Sequence, residues 1–171
     1  MWKEYLKKIS CWLFKPELNS RGYLIRVAVL AVIALIFFGY LCKPMILNGG
    51  SMEPNYHSGT LNFCWTPTYW FREPQRGDIA VLRYAGSRVL LLKRILALPG
   101  DTVEFREGYF YLNGKKQEEP YVKLKRANWN MKPRKVSVGH YYVVGDNRSM
   151  PIYQHKFGEI RQDRLEGALL L

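Results

Sequence analysis

The sequence predicts a mainly β domain, a folded antiparallel sheet or partial barrel, preceded by one N-terminal transmembrane helix. Two observations lead to this prediction. The chain has one long apolar run, near its N-terminus, and after residue 54 its apolar side chains follow a period of two, with turn signals at short intervals. No long helical period follows the apolar run. A chain of 171 residues has room for one modest domain beside an anchor.

The apolar run extends from residue 24 to residue 42 and contains a single charge. At about 1.5 Å per residue this run spans roughly 28 Å, which is close to the hydrocarbon thickness of a bilayer. Because basic residues predominate before it, the positive-inside rule predicts a cytoplasmic N-terminus. We therefore predict a cytoplasmic basic segment at 1–22, a transmembrane helix at 23–42 and an extracytoplasmic β-rich domain at 43–171. A cleaved signal peptide is the alternative, but no small-x-small cleavage site follows the run.

The formal net charge of +12 points to an anionic partner. A basic surface can bind nucleic acid or an anionic membrane. The sequence has no zinc-finger spacing and no RNA-recognition signature, and the anchor makes membrane lipid the simpler partner, so we expect no nucleic-acid binding. Residues 2–15 combine aromatic and basic side chains and are expected to lie on the inner leaflet.

The β domain is predicted from alternating or β-branched runs between turn signals. The predicted strands are 61–65, 78–84, 89–98, 103–105, 109–112, 141–144 and 165–171. Asn113-Gly114 predicts a tight turn, and the basic segment 123–135 is predicted to be a solvated loop. A group of aromatic residues could pack in the core or form a rim in the outer membrane interface. These residues are Trp65, Tyr69, Trp70 and Phe71.

The cysteines and histidines give no sign of a disulfide framework or a metal site. The three cysteines are Cys11, Cys42 and Cys64, with no CxxC pair. Cys11 and Cys64 are expected on opposite sides of the membrane, and a Cys42–Cys64 bridge stays open as the less favoured alternative. The histidines lack metal-ligand spacing. They are His57, His140 and His155.

The segment 49–54, Gly-Gly-Ser-Met-Glu-Pro, is a candidate nucleophile turn. Glycines beside Ser51 leave its hydroxyl exposed and let another stretch of backbone approach closely. Pro54 prevents the segment from continuing as a helix. Such a turn suits a serine nucleophile with free backbone N–H groups as an oxyanion hole. A flexible juxtamembrane linker is the alternative.

Lys93 is the candidate base for Ser51. It lies inside the apolar run 89–98, on the strand face that it shares with Leu91 and Ile95. A lysine in this position either extends its amine to water or is buried with a lowered pKa. A buried, neutral lysine can act as a general base. The histidines stay open as alternative bases, because the members of a Ser-His-Asp triad are set by geometry.

Four segments together resemble the motifs of the type I signal peptidases, the membrane-anchored Ser-Lys serine proteases of the S26 family. In family order, these segments are 50–54, 76–81, 93–101 and 145–149. The resemblance implies that Ser51 attacks the scissile carbonyl and contributes its backbone N–H to the oxyanion hole, and that neutral Lys93 takes the serine proton. It implies no metal or organic cofactor. It also implies supporting roles for Gly49, Gly50, Met52, Pro54, Asp146 and Arg148.

The function that this resemblance implies is the removal of N-terminal signal peptides from exported preproteins, after small residues at positions −3 and −1. Such preproteins and membrane lipid would be the partners, and catalysis would take place outside the cytoplasmic (inner) membrane. Two alternatives stay open. One is a specialised relative that matures a single client such as a pilin, and the other is a catalytically silent membrane-anchored scaffold protein.

The chain departs from the family pattern after its last motif. Members usually carry serine, aspartate and arginine there, at alternating positions. Pro151, Tyr153 and His155 stand at those places here. We therefore expect Asp146 and Arg148 to pair with each other or to brace the lysine strand. We also expect Tyr153 or Ser149 to provide the hydrogen bond to Lys93 that the missing serine often makes.

Overall fold

The computed structural model describes residues 2–14, 19–84, 90–125, 128–155 and 158–170. The chain consists of two compact units, Met1–Tyr40 and Leu41–Leu171. Parts of four predicted segments lie outside the described residues: residues 1 and 15–18 of the N-terminal segment 1–22, residue 89 of 89–98, residues 126–127 of 123–135 and residue 171 of 165–171.

The N-terminal unit is helical. Helix α1 spans Trp2–Phe14 and helix α2 spans Ser20–Ile36, and α2 continues as a π-helical turn, Phe37–Leu41. Asn19 caps α2 because its side chain accepts a hydrogen bond from the Gly22 N–H at 3.0 Å. The segment Ser20–Leu41 is long and apolar enough to cross a membrane.

The predicted apolar helix is confirmed, with different ends. It starts at Ser20, because the cap at Asn19 lets it begin before the apolar run does. Cys42 was predicted to be its last residue, and this is wrong. Cys42 instead opens the first strand, where it lies opposite Trp65.

Within the described residues the second unit contains eleven strands, one short α-helix, α3, which spans Thr68–Phe71, and two 3-10 turns. The strands are β1 Cys42–Ile46, β2 Leu61–Trp65, β3 Ile79–Arg83, β4 Leu90–Ala97, β5 Thr102–Arg106, β6 Tyr109–Leu112, β7 Lys115–Lys116, β8 Met131–Lys135, β9 His140–Val144, β10 Gly158–Arg161 and β11 Leu165–Leu170. They form a seven-stranded sheet in the order β1-β2-β11-β3-β4-β9-β10 and a four-stranded sheet in the order β7-β6-β5-β8. All strand pairs are antiparallel. The predicted mainly antiparallel β domain behind one apolar helix is therefore confirmed.

Three clusters of buried side chains form the core. One joins the two sheets, with Val103 and Phe105 of β5 against Tyr142 and Val144 of β9 and the fully buried Trp129. The other two clusters contain side chains from alternating positions of β3 and β4. The seven-stranded sheet is thus packed on both faces, and β4, which carries Lys93, lies in its interior.

All seven predicted strands are present in the described residues, and four further strands were missed. The missed strands are β1, β7, β8 and β10. The prediction of a solvated loop at 123–135 is wrong for its last part, because Met131–Lys135 pairs with β5 as strand β8. Strand β8 is an edge strand, where a proline and charged side chains are tolerated.

Candidate active site

Ser51 lies in a turn that follows β1. Gly49 has a φ of 102°, a conformation that favours glycine, and its N–H donates to Ser58 Oγ at 3.1 Å. Glu53 N–H donates to the Gly50 carbonyl at 3.2 Å and closes the turn. Met52 is only 2% exposed and packs into the core, which fixes the residue next to the nucleophile. The Ser51 N–H makes no hydrogen bond within the described part of the chain.

Pro54 completes this turn. The peptide bond between Glu53 and Pro54 is cis. After it, Tyr56 N–H donates to the Met52 carbonyl at 3.0 Å. The four residues that the resemblance marks as supporting, Gly49, Gly50, Met52 and Pro54, therefore all lie in the turn region around Ser51.

Lys93 lies on β4 with its side chain 4% exposed. Its Nζ is 2.5 Å from Ser51 Oγ, so the structure brings the two predicted residues into hydrogen-bonding contact. Burial lowers the pKa of Lys93 from 10.5 to about 8, although the negative charge of Asp146 acts in the opposite direction. A substantial fraction of such amines is neutral near physiological pH, as a general base requires.

Asp146 is fully buried and braces the strand that carries Lys93. Its carboxylate accepts two hydrogen bonds from Arg94, at 2.8 and 2.6 Å, and one from Asn55 Nδ2 at 2.9 Å. The Arg94 guanidinium also lies 3.9 Å from the centre of the Tyr121 ring. Of the two expectations for Asp146, the brace on the lysine strand is the one that the structure contains.

Arg148 does not pair with Asp146, so that alternative is wrong. Arg148 is 2% exposed, and it donates to Glu119 Oε1 at 2.8 Å and to the Gly145 carbonyl at 2.7 Å. Its guanidinium lies 5.2 Å from the Trp129 ring centre. The equally buried Glu119 takes this role because it offers a carboxylate inside the same core. Nothing local in the sequence marks Glu119, which lies 29 residues before its partner.

The last motif contacts the nucleophile turn directly. Asn147 N–H donates to the Ser51 carbonyl at 3.0 Å. A Cβ atom added at Gly145 would lie 2.2 Å from the same carbonyl oxygen, so only glycine fits there. Gly145 and Asn147 were not among the predicted site residues, although both lie in the segment 145–149 that carries the resemblance.

A cavity of about 400 Å³ opens over the Ser51–Lys93 pair. Its walls include Leu91, Asn147, Ser149 and His155. A neighbouring cavity of about 280 Å³ shares Leu91 and His155 with it. Together the two cavities form a recess along the sheet face on which Lys93 lies.

His155 is the one histidine that lines the cavity over the pair, among the residues that the structure describes. Its ring packs edge-on against Trp129, with 4.6 Å between the ring centres. Burial lowers its pKa to about 4, and the positive charges of Lys93 and Arg148 act in the same direction. His155 is therefore uncharged at neutral pH. His57 is exposed, and His140 lies at the start of β9.

The two residues expected to hold Lys93 differ in position. Tyr153 is 81% exposed, so the expectation that it contacts the buried lysine is wrong. Its place in a short 3-10 turn directs the side chain to solvent. Ser149 does line the cavity, and its hydroxyl donates to Asn147 Oδ1 at 2.7 Å.

The other groups considered from the sequence were metal ligands and cysteines. Within the described residues no cluster of His, Cys, Asp or Glu could hold a metal ion. Cys11, Cys42 and Cys64 are free thiols, and Cys42 faces Trp65 rather than Cys64 across the β1–β2 ladder. Burial raises the pKa of the Cys64 thiol to about 12. Cys42 and Cys64 are buried, and neither lines the cavity over the Ser51–Lys93 pair.

Some members of the aromatic group are packed and others are exposed. Tyr69 packs against a core cluster, and Trp65 is half-buried. Trp70 and Phe71, at the end of α3, are 63% and 85% exposed. These two side chains form an exposed apolar pair on an otherwise basic unit.

Comparison with known proteins identifies the family. Residues 20–170 match the family model described as signal peptidase, peptidase S26. The chain is 32% identical to signal peptidase I of Bacillus licheniformis over 160 residues, covering 87% of this chain and 86% of the relative. It is 37% identical to signal peptidase I S of Bacillus subtilis strain 168 over 132 residues, covering 71% of each.

Similar proteins extend beyond Bacillus. Signal peptidase IB of Staphylococcus aureus strain COL is 30% identical over 162 residues, covering 85% of this chain and 84% of the relative. A crystal structure of a signal peptidase I from Enterococcus faecalis V583 is 30% identical and has a TM-score of 0.47, covering 58% of this chain and 98% of that one. Family membership favours a peptidase, a hydrolase, over the scaffold and nucleic-acid-binding alternatives. The chain belongs to the signal peptidase family, peptidase S26.

Proposed function

We propose that this protein is a signal peptidase I, an endopeptidase that removes N-terminal signal peptides from exported preproteins after small residues at −3 and −1. Relatives with that name in Bacillus and Staphylococcus support the proposal. The observation that carries it is the 2.5 Å contact between Ser51 Oγ and the Nζ of the buried Lys93. A serine paired with a desolvated lysine has both a nucleophile and a base for acyl transfer.

In this mechanism the neutral Lys93 amine takes the Ser51 hydroxyl proton as Oγ bonds to the scissile carbonyl carbon. The negative oxygen of the tetrahedral intermediate accepts a hydrogen bond from the Ser51 N–H. Lys93 then passes its proton to the leaving amine nitrogen as the C–N bond breaks. Water, deprotonated by the neutral lysine, attacks the acyl carbon, and the signal peptide leaves with a free carboxylate while Ser51 regains its proton.

We further propose that the segment before Ser20 is cytoplasmic, that Ser20–Leu41 crosses the inner membrane and that the chain from Cys42 onward lies outside it. The apolar helix and the basic residues before it support this orientation. In this arrangement the exposed Trp70 and Phe71 contact lipid at the outer interface. A preprotein segment would bind in extended form against the sheet.

The proposal is tested with the full chain in detergent and a preprotein that carries an Ala-x-Ala site. We expect the wild-type enzyme to cleave this preprotein after the second alanine. It should not cleave a preprotein in which tryptophan replaces that alanine. Ser51→Ala and Lys93→Ala should abolish cleavage with the fold intact. Lys93→Arg should also fail, because arginine stays protonated. Near-normal turnover by Lys93→Ala would refute the lysine base, and cleavage by Ser51→Ala would refute the serine mechanism.

A further inference from the structure

Asn147 holds two successive carbonyl groups of the nucleophile turn. Its side-chain Nδ2 donates to the Gly50 carbonyl at 2.8 Å, and its backbone N–H donates to the Ser51 carbonyl at 3.0 Å. Its own amide is held by Ser149, whose N–H and hydroxyl both donate to Asn147 Oδ1, at 3.0 and 2.7 Å. One side chain therefore connects the last motif to the backbone on both sides of the nucleophile.

The orientation of the Asn147 amide follows from its partners. The Ser149 N–H can only donate a hydrogen bond and the Gly50 carbonyl can only accept one. The oxygen of the amide must therefore face Ser149, and the nitrogen must face Gly50. The opposite orientation would place an N–H₂ group against an N–H group and an oxygen against a carbonyl oxygen.

The Gly50 carbonyl and the Ser51 N–H belong to the same peptide plane. In a trans peptide these two groups point in opposite directions. Fixing the carbonyl on Asn147 therefore fixes the direction of the Ser51 N–H, which is the proposed oxyanion donor. Glycine at position 50 makes this plane easy to rotate. Glu53 N–H also donates to the Gly50 carbonyl, at 3.2 Å, so Asn147 provides the shorter of two hydrogen bonds that fix the plane.

We propose that Asn147 is a positioning residue for the oxyanion hole: by holding the Gly50 carbonyl it orients the Ser51 N–H toward the reacting carbonyl oxygen. This inference rests on the proposed peptidase function. Asn147 touches no reacting atom in this role. It acts through the Gly50–Ser51 peptide, and its effect should appear where negative charge develops on the substrate oxygen.

Two substitutions test this role in the full chain in detergent. Asn147→Asp keeps the size of the side chain and the acceptor for Ser149, but it turns an oxygen toward the Gly50 carbonyl. We expect kcat to fall roughly 10²-fold, the cost typical of a lost oxyanion donor, with KM within about twofold of wild type. Asn147→Ala should cost about tenfold, because Glu53 N–H still holds the Gly50 carbonyl.

The matched control is Asn130→Asp. Asn130 is exposed to solvent, whereas Asn147 is half-buried. The Asn130 Oδ1 accepts a hydrogen bond from Glu107 N–H, which an aspartate can still accept. This variant adds the same charge outside the cavity and should cleave like wild type. All rates are compared near pH 10, where Lys93 is neutral, so that a shifted lysine pKa does not imitate the loss of an oxyanion donor.

A second readout separates orientation of the donor from general damage to the site. A peptide boronic acid forms a tetrahedral adduct with Ser51 and imitates the charged intermediate, whereas the cleaved signal peptide binds only as product. In both Asn147 variants the boronate should lose affinity by the same factor as kcat/KM, and product affinity should stay unchanged.

Two results would overturn the inference while leaving the peptidase function intact. One is wild-type kcat in both Asn147 variants. The other is an equal loss of boronate and product affinity, which would mean that Asn147 only maintains the shape of the cavity. Failure of the proposed peptidase function would give a different result. Either the wild-type chain would not cleave the preprotein, or the Ser51→Ala variant would cleave it.

Discussion

The buried position of Lys93 predicts that peptidase activity rises with pH around a midpoint near 8. With a pKa of about 8, roughly one lysine in ten is neutral at pH 7 and nine in ten at pH 9. An unperturbed lysine with a pKa of 10.5 would be neutral in only about one molecule in 3,000 at pH 7. Burial therefore increases the fraction of Lys93 that is neutral about 300-fold at pH 7.

The measurement is kcat/KM for an Ala-x-Ala preprotein from pH 6 to pH 10, because this ratio reports ionisations in the free enzyme. We expect a tenfold rise per pH unit below the midpoint and a plateau above pH 9. The matched variant is His155→Gln, which removes the histidine of the same cavity. Its midpoint should stay near 8, since His155 has a pKa of about 4 and is already neutral throughout this range.

Two outcomes would refute the reasoning. A midpoint near 10 would show that Lys93 is as solvated as a surface lysine. A midpoint between 6 and 7 that disappears in His155→Gln would show that a histidine is the base. The first result would refute the lowered lysine pKa, and the second would mean that the 2.5 Å contact between Lys93 and Ser51 is structural rather than catalytic.

Three further predictions concern stability, packing and the membrane. Lys93→Met should raise the free energy of unfolding at pH 7 by up to about 3 kcal/mol, because the folded pKa lies below the unfolded one. Denaturant titration should show this gain shrinking from pH 8 to 10.5, as the unfolded lysine also loses its proton. Gly145→Ala should lower kcat/KM at least tenfold in the peptide assay, since its Cβ would displace the Ser51 carbonyl. Replacing Trp70 and Phe71 by serine should slow cleavage of a membrane-inserted preprotein more than cleavage of a soluble peptide, measured side by side.

The sequence predicted the central strand and its lysine because one strong periodic signal covers them. Strand β4 is apolar at nearly every position, so a single lysine in it must lie on one packed face or the other. The turn at Ser51 was predictable for a related reason, because glycine and proline act through the local backbone. In both places the determining interactions lie within a few residues along the chain.

The strands that the sequence missed lack this local signal. Strand β1 contains Pro44 and strand β8 contains Pro133, and each lies at the edge of its sheet. A proline is accepted there because one side of an edge strand needs no partner for its N–H groups. These strands exist because a neighbouring strand offers pairing, and a pattern within five residues does not reveal that neighbour.

The ion pairs of the site were also not predictable from a local sequence pattern. They explain how this chain supports its site although the serine, aspartate and arginine usual after the last motif are missing. Asp146 holds Arg94, which follows Lys93 on β4, and Arg148 holds Glu119 and the carbonyl of Gly145. Removing one partner of a buried pair costs about 3 to 5 kcal/mol, because the other charge is left without compensation. Such pairs therefore hold their segments firmly in place. Because one of them fixes the lysine strand and the other fixes the backbone against Ser51, the positions of both proposed catalytic residues depend on the last motif.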